Sequence, residues 1–448
     1  MVLALLAALA VAANKPPTLL LTPCTVQSIA AGCGTLLVPE NRARPKSRQI
    51  GLHVVVVPAR SHAAADAFTY LTGGPGGAAT SETYDILTTF APVHDRHDII
   101  LVDQRGTGQS HPLDCPAPTT PLATAAREAV YLRSCAAAAP GDMTQYGTRA
   151  AADDLDAVRA ALGYAQLDVY GVSYGATVAQ VYLRRHRSSV RTLTLDSGTL
   201  LGLPFYANFA RNAQRALAEL GGRCAADAAC ARAFPHWQAT LARLVRAWNE
   251  HPVRVTPTAT MSGDQLAGVI QAMLLDSQSA ASIPLLVTRA AAGRYDLLNG
   301  QLLPGDFTRQ LMFWSVWCNE PWVGLDAAGP WHTVFDGYTE GLLARYRTVC
   351  RSLPHRAEPP SAWNAPRTQV PLLALAGGAD PQDPAPNLTR LRWYFPNGRL
   401  LVVPGYGHAV AQYGCLGGLV SIFVDQASAA GLHTSCLRGI PPPPFVLR

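Results

Sequence analysis

The sequence predicts an α/β fold, a mainly parallel sheet with helices on both faces and a helical segment inserted late in the sheet. Short apolar runs alternate with helical patterns along most of the chain, as expected for strands covered by crossover helices. A glycine-framed serine, Gly171-Val172-Ser173-Tyr174-Gly175, lies between one apolar run and a helical pattern. From about residue 199 to 365 the alternation gives way to long amphipathic segments.

The strand-like runs are 50–58, 67–71, 98–103, 167–170, 190–196, 370–376 and 400–403, with a helical pattern at 149–162 among them. Run 167–170 leads into the glycine-framed serine, and 176–185 follows as a helix with an apolar face. A strand, a sharp turn and a helix are the setting in which G-x-S-x-G presents a nucleophile. The glycines are needed because a Cβ at either position would meet the crossing backbone. The helix N-terminus beneath Ser173 favours negative charge developing there.

A serine hydroxyl is a weak nucleophile near neutral pH, so a base and a group to orient it should follow. On this strand–turn–helix plan the chain order is serine, acid, histidine. Run 370–376 ends in Gly377-Gly378-Ala379-Asp380, and run 400–403 ends in Pro404-Gly405-Tyr406-Gly407-His408. Both candidates therefore follow a strand on the serine's rim, and His408 is expected to be the base. Asp380 is the favoured acid. Its rivals are Asp196, which ends the strand after the serine's helix, and Asp383, three residues on. Asp196 otherwise reads as a helix or turn cap, and Asp383 as a turn residue before Pro384.

Run 67–71 leads into Thr72-Gly73-Gly74-Pro75-Gly76-Gly77. Such a loop can aim backbone N–H groups at an oxyanion, with a second donor from the residue after the nucleophile. Gly74 and Tyr174 are the expected donors. A phosphate-binding loop is not indicated, since neither G-x-G-x-x-G nor Gly-Lys-Ser/Thr is present.

Gly73-Gly-Pro-Gly-Gly77, Asp103-Gln-Arg-Gly-Thr-Gly-Gln-Ser110, Gly171-Val-Ser-Tyr-Gly175, Gly378-Ala-Asp380 and Gly407-His408 occur in this order. Over roughly residues 24–436 the chain thereby resembles the serine aminopeptidases of the α/β-hydrolase fold, the prolyl and tripeptidyl aminopeptidase group. Tyr174 after the nucleophile is similar to the tripeptidyl branch, the prolyl branch usually having Trp there. Thr72 stands where the prolyl branch commonly has His. Both features place the chain closer to the secreted tripeptidyl branch. The resemblance implies that Asp103 and Arg105 form a structural ion pair ordering loops near the site. It also implies peptide substrates with a free N-terminus.

Composition agrees with an enzyme of this kind. The chain has 448 residues, 49% of them hydrophobic and 15% charged, enough for a large core and too apolar for long disorder. The charge of +6 comes almost wholly from scattered arginines, which form no nucleic-acid patch. Abundant Ala and Arg beside only two lysines, Lys15 and Lys46, suggest a G+C-rich bacterial genome. Residues 2–13 are too short to span a bilayer but fit a signal-peptide core, with Ala10-Val11-Ala12 as a cleavage site and no basic segment before it. No other stretch approaches a transmembrane length, so no membrane insertion of the mature protein is expected.

Ten cysteines, an even number without metal-ligand spacing, support export to the periplasm or medium. Ten allow about 945 pairings. The sequential set is Cys24–Cys33, Cys115–Cys135, Cys224–Cys230, Cys318–Cys350 and Cys415–Cys436; ten reduced thiols in a cytosolic enzyme are the alternative. No metal or cofactor is called for by the chemistry.

The expected organisation is a signal peptide at 1–13, core at 24–198, a helical lid at 199–365 and core again at 366–440. Amphipathic segments at 207–220, 234–249 and 263–275 make the lid, 358–366 its return linker, and 441–444 an extended tail. Inside the lid, Phe313-Trp-Ser-Val-Trp317-Cys-Asn-Glu320-Pro-Trp322 gathers three tryptophans and a carboxylate. The resemblance implies a substrate site here, with Trp317 packing the leading residues and Glu320 pairing the free amine. A packed lid helix ending at Pro321 is the alternative. The functional expectation is an exported serine exopeptidase releasing tripeptides or single residues. A carboxylesterase or lipase with the same triad, or a non-catalytic binding protein on this fold, are the rivals.

Overall fold

The computed structural model describes residues 19–448 apart from 62, 119–121, 123, 300–309 and 327–328. The expected signal segment at 2–13 lies outside the described residues. Among the described residues eleven strands follow one another as β1 (Thr22–Val26), β2 (Ile29–Pro39), β3 (Gln49–Val57), β4 (Ala67–Leu71), β5 (Ile99–Val102), β6 (Leu167–Val172), β7 (Val190–Asp196), β8 (Val253–Arg254), β9 (Thr260–Met261), β10 (Leu372–Gly377) and β11 (Gly398–Val403). Among the described residues nine of them form one sheet in the order β1-β2-β3-β5-β4-β6-β7-β10-β11. Pairing is antiparallel from β1 to β5 and parallel from β5 to β11.

The parallel strands read as continuous apolar runs because both faces are covered. Val54 and Val56 of β3, with Leu372 and Ala374 of β10, pack under the helices Thr148–Leu162 and Tyr174–Arg185. Val55, Val57, Leu373 and Leu375 face the other way, toward the helices Ala91–His94 and Leu416–Gln426. This period-2 division of neighbouring residues makes two separate cores from one sheet.

The hairpin β1–β2 is absent from the sequence reading. Its strands carry no alternating apolar signal, since β2 opens Ile29-Ala-Ala-Gly-Cys-Gly34 and is mostly half-exposed. Gln27 and Ser28 turn the chain at φ 48° and 68°, the conformation of a two-residue hairpin turn, and Cys24–Cys33 staples the strands.

Between β7 and β10 the chain leaves the sheet. Its helices there include Phe209–Ala226, Trp237–Glu250, Gly263–Leu275, Leu311–Asn319 and Asp336–Cys350, with β8 and β9 as a short ribbon. Leu217, Leu241, Leu266, Ile270 and Phe335 give this region a core of its own. The helix expected at 207–220 runs on to Ala226 through Gly221, where a Cβ would lie 2.2 Å from Gln238. That glycine permits close approach of Gln238 on the helix Trp237–Glu250 and does not end its own. No helix among the described residues is long and apolar enough to cross a membrane.

The disulfides are Cys24–Cys33, Cys115–Cys135, Cys224–Cys230, Cys318–Cys350 and Cys415–Cys436, closing local loops of 6 to 32 residues. Each such loop stabilises by a few kcal/mol, so a thiol reductant is expected to lower Tm by several degrees. Non-reducing peptide mapping of native protein should recover these five bridges; ten alkylatable thiols would contradict it.

Candidate active site

Ser173 stands between β6 and the helix Tyr174–Arg185 with φ 56° and ψ −125°. Positive φ is strained for a side chain, and the surroundings hold it there. A Cβ at Gly171 would lie 2.3 Å from Gly175 O, and one at Gly175 would lie 1.9 Å from Leu71 O. Both neighbours are backbone and cannot swing aside. Gly175→Ala is therefore expected to cost about 3 kcal/mol or more of stability, read from a urea midpoint. An unchanged midpoint would mean that helix and β4 do not approach as described.

His408 lies just beyond β11, and its Nδ1–H donates to Asp380 Oδ2 at 2.8 Å, just beyond β10. Asp380 is wholly buried and also accepts the N–H groups of Gln382 at 2.8 Å and Asp383 at 3.0 Å. Burial works against its charge, but His408 and these N–H groups hold its carboxyl below the usual range. Burial pushes the His408 imidazole down, while Asp380, Asp383 and Asp196 more than reverse this and raise it. Its Nε2 is buried without a hydrogen-bond partner. His408 and Ser173 line one cleft of about 860 Å³.

Of the rival acids, Asp196 serves the histidine's loop and not its ring. Its carboxylate accepts from Val410 N at 3.0 Å, Ala411 N at 2.8 Å and Tyr170 Oη at 2.6 Å. Asp383 is buried and accepts from Thr199 Oγ1 at 2.6 Å.

The glycine loop lies against the serine, since a Cβ at Gly73 would be 3.1 Å from Ser173 Cβ. Gly74 has φ 116°, which glycine adopts freely, and it borders both cavities that meet at Ser173. Tyr174 is the first residue of its helix, so its N–H has no acceptor within that helix. Glu82 accepts from Tyr70 Oη at 3.0 Å and from Thr72 Oγ1, fixing the residue before the loop's glycines.

The expected pair Asp103–Arg105 is not formed. Gly106 and Gly108, both at positive φ, fold the segment back so that Asp103 accepts Thr80 N and Gln109 N, each at 3.0 Å. Arg105 points away and makes a two-toothed pair with Asp154 at 2.6 and 2.7 Å. Both side chains do order loops, through other partners.

Glu320 does not reach the cavity beside Ser173. Thr148 N and Thr148 Oγ1 donate to its two oxygens at 2.6 and 2.7 Å, and Trp322 Nε1 donates at 2.6 Å. The carboxyl thus satisfies the N-terminus of the helix Thr148–Leu162, and burial pushes it up to about 8 despite these bonds. The same Thr148 hydroxyl bonds Tyr174 Oη at 2.8 Å, so Glu320 steadies the residue after Ser173. Trp317 does line the cavity, beside Phe205 and Trp322.

Three supports escape sequence reading because they are contacts between distant segments. Arg215, on the helix Phe209–Ala226, donates to Gly378 O at 2.5 Å and Asp380 O at 2.9 Å. Leu275 O accepts from His408 N at 2.8 Å, and Ser277 Oγ accepts from Gly407 N at 2.9 Å. The inserted helices therefore grip both the acid loop and the histidine loop. Only Gly407 carries a sequence signal: a Cβ there would sit 2.5 Å from Leu275 O.

Asp66, His97 and Asp168 converge elsewhere in a metal-like group. Arg191 already supplies the cation there, 3.2 Å from Asp66 and 3.0 Å from Asp168. Asp168 lies at the start of β6, at the opposite end of that strand from Ser173.

Residues 68–411 match the α/β hydrolase fold family. A tripeptidyl aminopeptidase of Streptomyces lividans is 29% identical over 187 residues, 37% of this chain and 35% of the relative. A serine protease of Mycobacterium tuberculosis is 28% identical over 220 residues, 44% of this chain and 42% of the relative. A proline iminopeptidase of Neisseria gonorrhoeae is 29% identical over 126 residues, 28% and 30% of the two chains. The chain spans well under half the length of each relative it matches. The family match runs from β4 through β11 and ends just past His408, so the chain belongs to the α/β-hydrolase fold family.

Proposed function

We propose that the protein is an exported serine exopeptidase that releases short N-terminal pieces from peptides through an acyl-enzyme. The observation carrying this reading is the buried Asp380–His408 pair: His408 Nε2 has no hydrogen-bond partner, and His408 lines the same cleft as Ser173. Ser173 Oγ attacks the scissile carbonyl as His408 Nε2 takes its proton. The Gly74 and Tyr174 N–H groups receive the oxyanion. The C–N bond then breaks, His408 passes the proton to the leaving amine, and water repeats the sequence to free the acyl group. Tripeptidyl aminopeptidase and proline iminopeptidase relatives support peptides as substrates. Five disulfides support an oxidising compartment.

A second reading, a carboxylesterase, draws on the apolar wall of the narrow cavity, where Leu200, Leu201, Leu203 and Phe205 suit an acyl chain. Matched peptide anilides with free and acetylated N-termini separate the two. An exopeptidase should lose about 2–4 kcal/mol in kcat/KM on acetylation, because a charge-assisted contact is removed and its buried partner stranded. Equal cleavage of both, with faster cleavage of p-nitrophenyl acyl esters, would favour the esterase.

A further inference from the structure

We propose that Asp383 receives the substrate's free α-ammonium inside the narrow cavity, so that the enzyme releases one residue at a time. This rests on the exopeptidase reading and names its anchor. Two cavities meet at Ser173 and Gly74. His408 lines the wide one, where Glu82 and Asp85 also lie, and does not line the narrow one. Because His408 protonates the departing amine, the leaving peptide occupies the wide cleft. The acyl residue then occupies the narrow cavity, whose lining includes Trp317, Trp322, Gln382 and Asp383.

Among the described residues Asp383 is the one carboxylate lining that cavity. It is 5% exposed. A carboxylate offers about four acceptor positions. The Thr199 hydroxyl fills one, and the Gln382 side chain also bonds it. Among the described residues no lysine or arginine lies within ion-pair distance of it. Burial and the Asp380 charge push its carboxyl up, with the His408 charge pulling the other way. A buried anion without a paired cation is costly, and an ammonium brought by the substrate removes that cost. Glu320 cannot act in this way, having committed its oxygens to Thr148 and Trp322.

Size points to a single residue. The cavity holds about 30 Å³, space for two or three water-sized groups. An extended tripeptide needs about 10 Å of length. The amine held by Asp383 is then that of the residue whose carbonyl Ser173 attacks.

The test measures kcat/KM for alanine 4-nitroanilide, its N-acetyl form and trialanine 4-nitroanilide on wild type and Asp383→Asn. Wild type should prefer the free alanine substrate to the acetylated one by about 10- to 100-fold, and the variant should lose that preference mainly through KM. An unchanged preference in the variant, or a wild type that favours trialanine, overturns the proposal while leaving an exopeptidase. A wild type indifferent to acetylation removes the exopeptidase reading and the proposal with it. Should Asp383→Asn not fold, wild-type inhibition decides: L-alaninamide should inhibit about tenfold or more better than propionamide, and equal inhibition overturns the assignment.

Discussion

Replacing Ser173 by alanine is expected to leave a folded protein whose kcat is lower by about 10⁴-fold or more, since triad members act as a unit. The loss should fall on chemistry and not on structure. The elbow is held by backbone packing at Gly171 and Gly175. Residual activity would come from the oxyanion donors and substrate binding alone. Two measurements check this: turnover of a peptide anilide, and labelling by a fluorophosphonate, which reports an activated serine whatever the substrate. Turnover close to wild type, or labelling that survives the substitution, would place the nucleophile elsewhere.

Asp380→Asn should cost about 10³- to 10⁴-fold in kcat, because an amide in place of the carboxylate favours the wrong imidazole tautomer. Asp196→Asn and Asp383→Asn should cost far less in kcat. Asp196 holds the backbone after His408, so its loss should appear as reduced stability. Asp383 touches neither Nδ1 nor the nucleophile by hydrogen bond. The pH profile gives an independent check. His408 must be neutral to accept a proton, and its carboxylate neighbours raise it above its ordinary value near 6.5. Wild-type kcat/KM should therefore rise with pH along a limb lying above pH 6.5. Removing the Asp380 charge should shift the residual activity's limb to lower pH. If Asp196→Asn is instead the silenced variant, the acid belongs to β7.

Much of the fold was legible because its signals are local. Apolar runs mark β3 to β7, β10 and β11, since strands covered on both faces must be apolar throughout. The hairpin β1–β2 was not, because cross-strand bonding and Cys24–Cys33 hold it more than buried side chains do. Ser173, Asp380 and His408 each follow a strand whose end the sequence marks, and parallel strands put those ends on one rim.

By itself the sequence determined what depends on a few consecutive residues: the glycine-framed turn at Ser173, the loop at Gly73–Gly74, and the strand ends carrying Asp380 and His408. Only the tertiary structure decided which carboxylate bonds His408, that Arg105 pairs with Asp154 and not Asp103, and that Glu320 turns to Thr148. It also decided that Asp383 lines the narrow cavity and that Arg215 and Leu275 hold the loops of Asp380 and His408. The reason is one of scale. Periodicity tells which face of an element a side chain takes, whereas a hydrogen bond depends on tenths of an ångström between segments that meet only when the chain is packed.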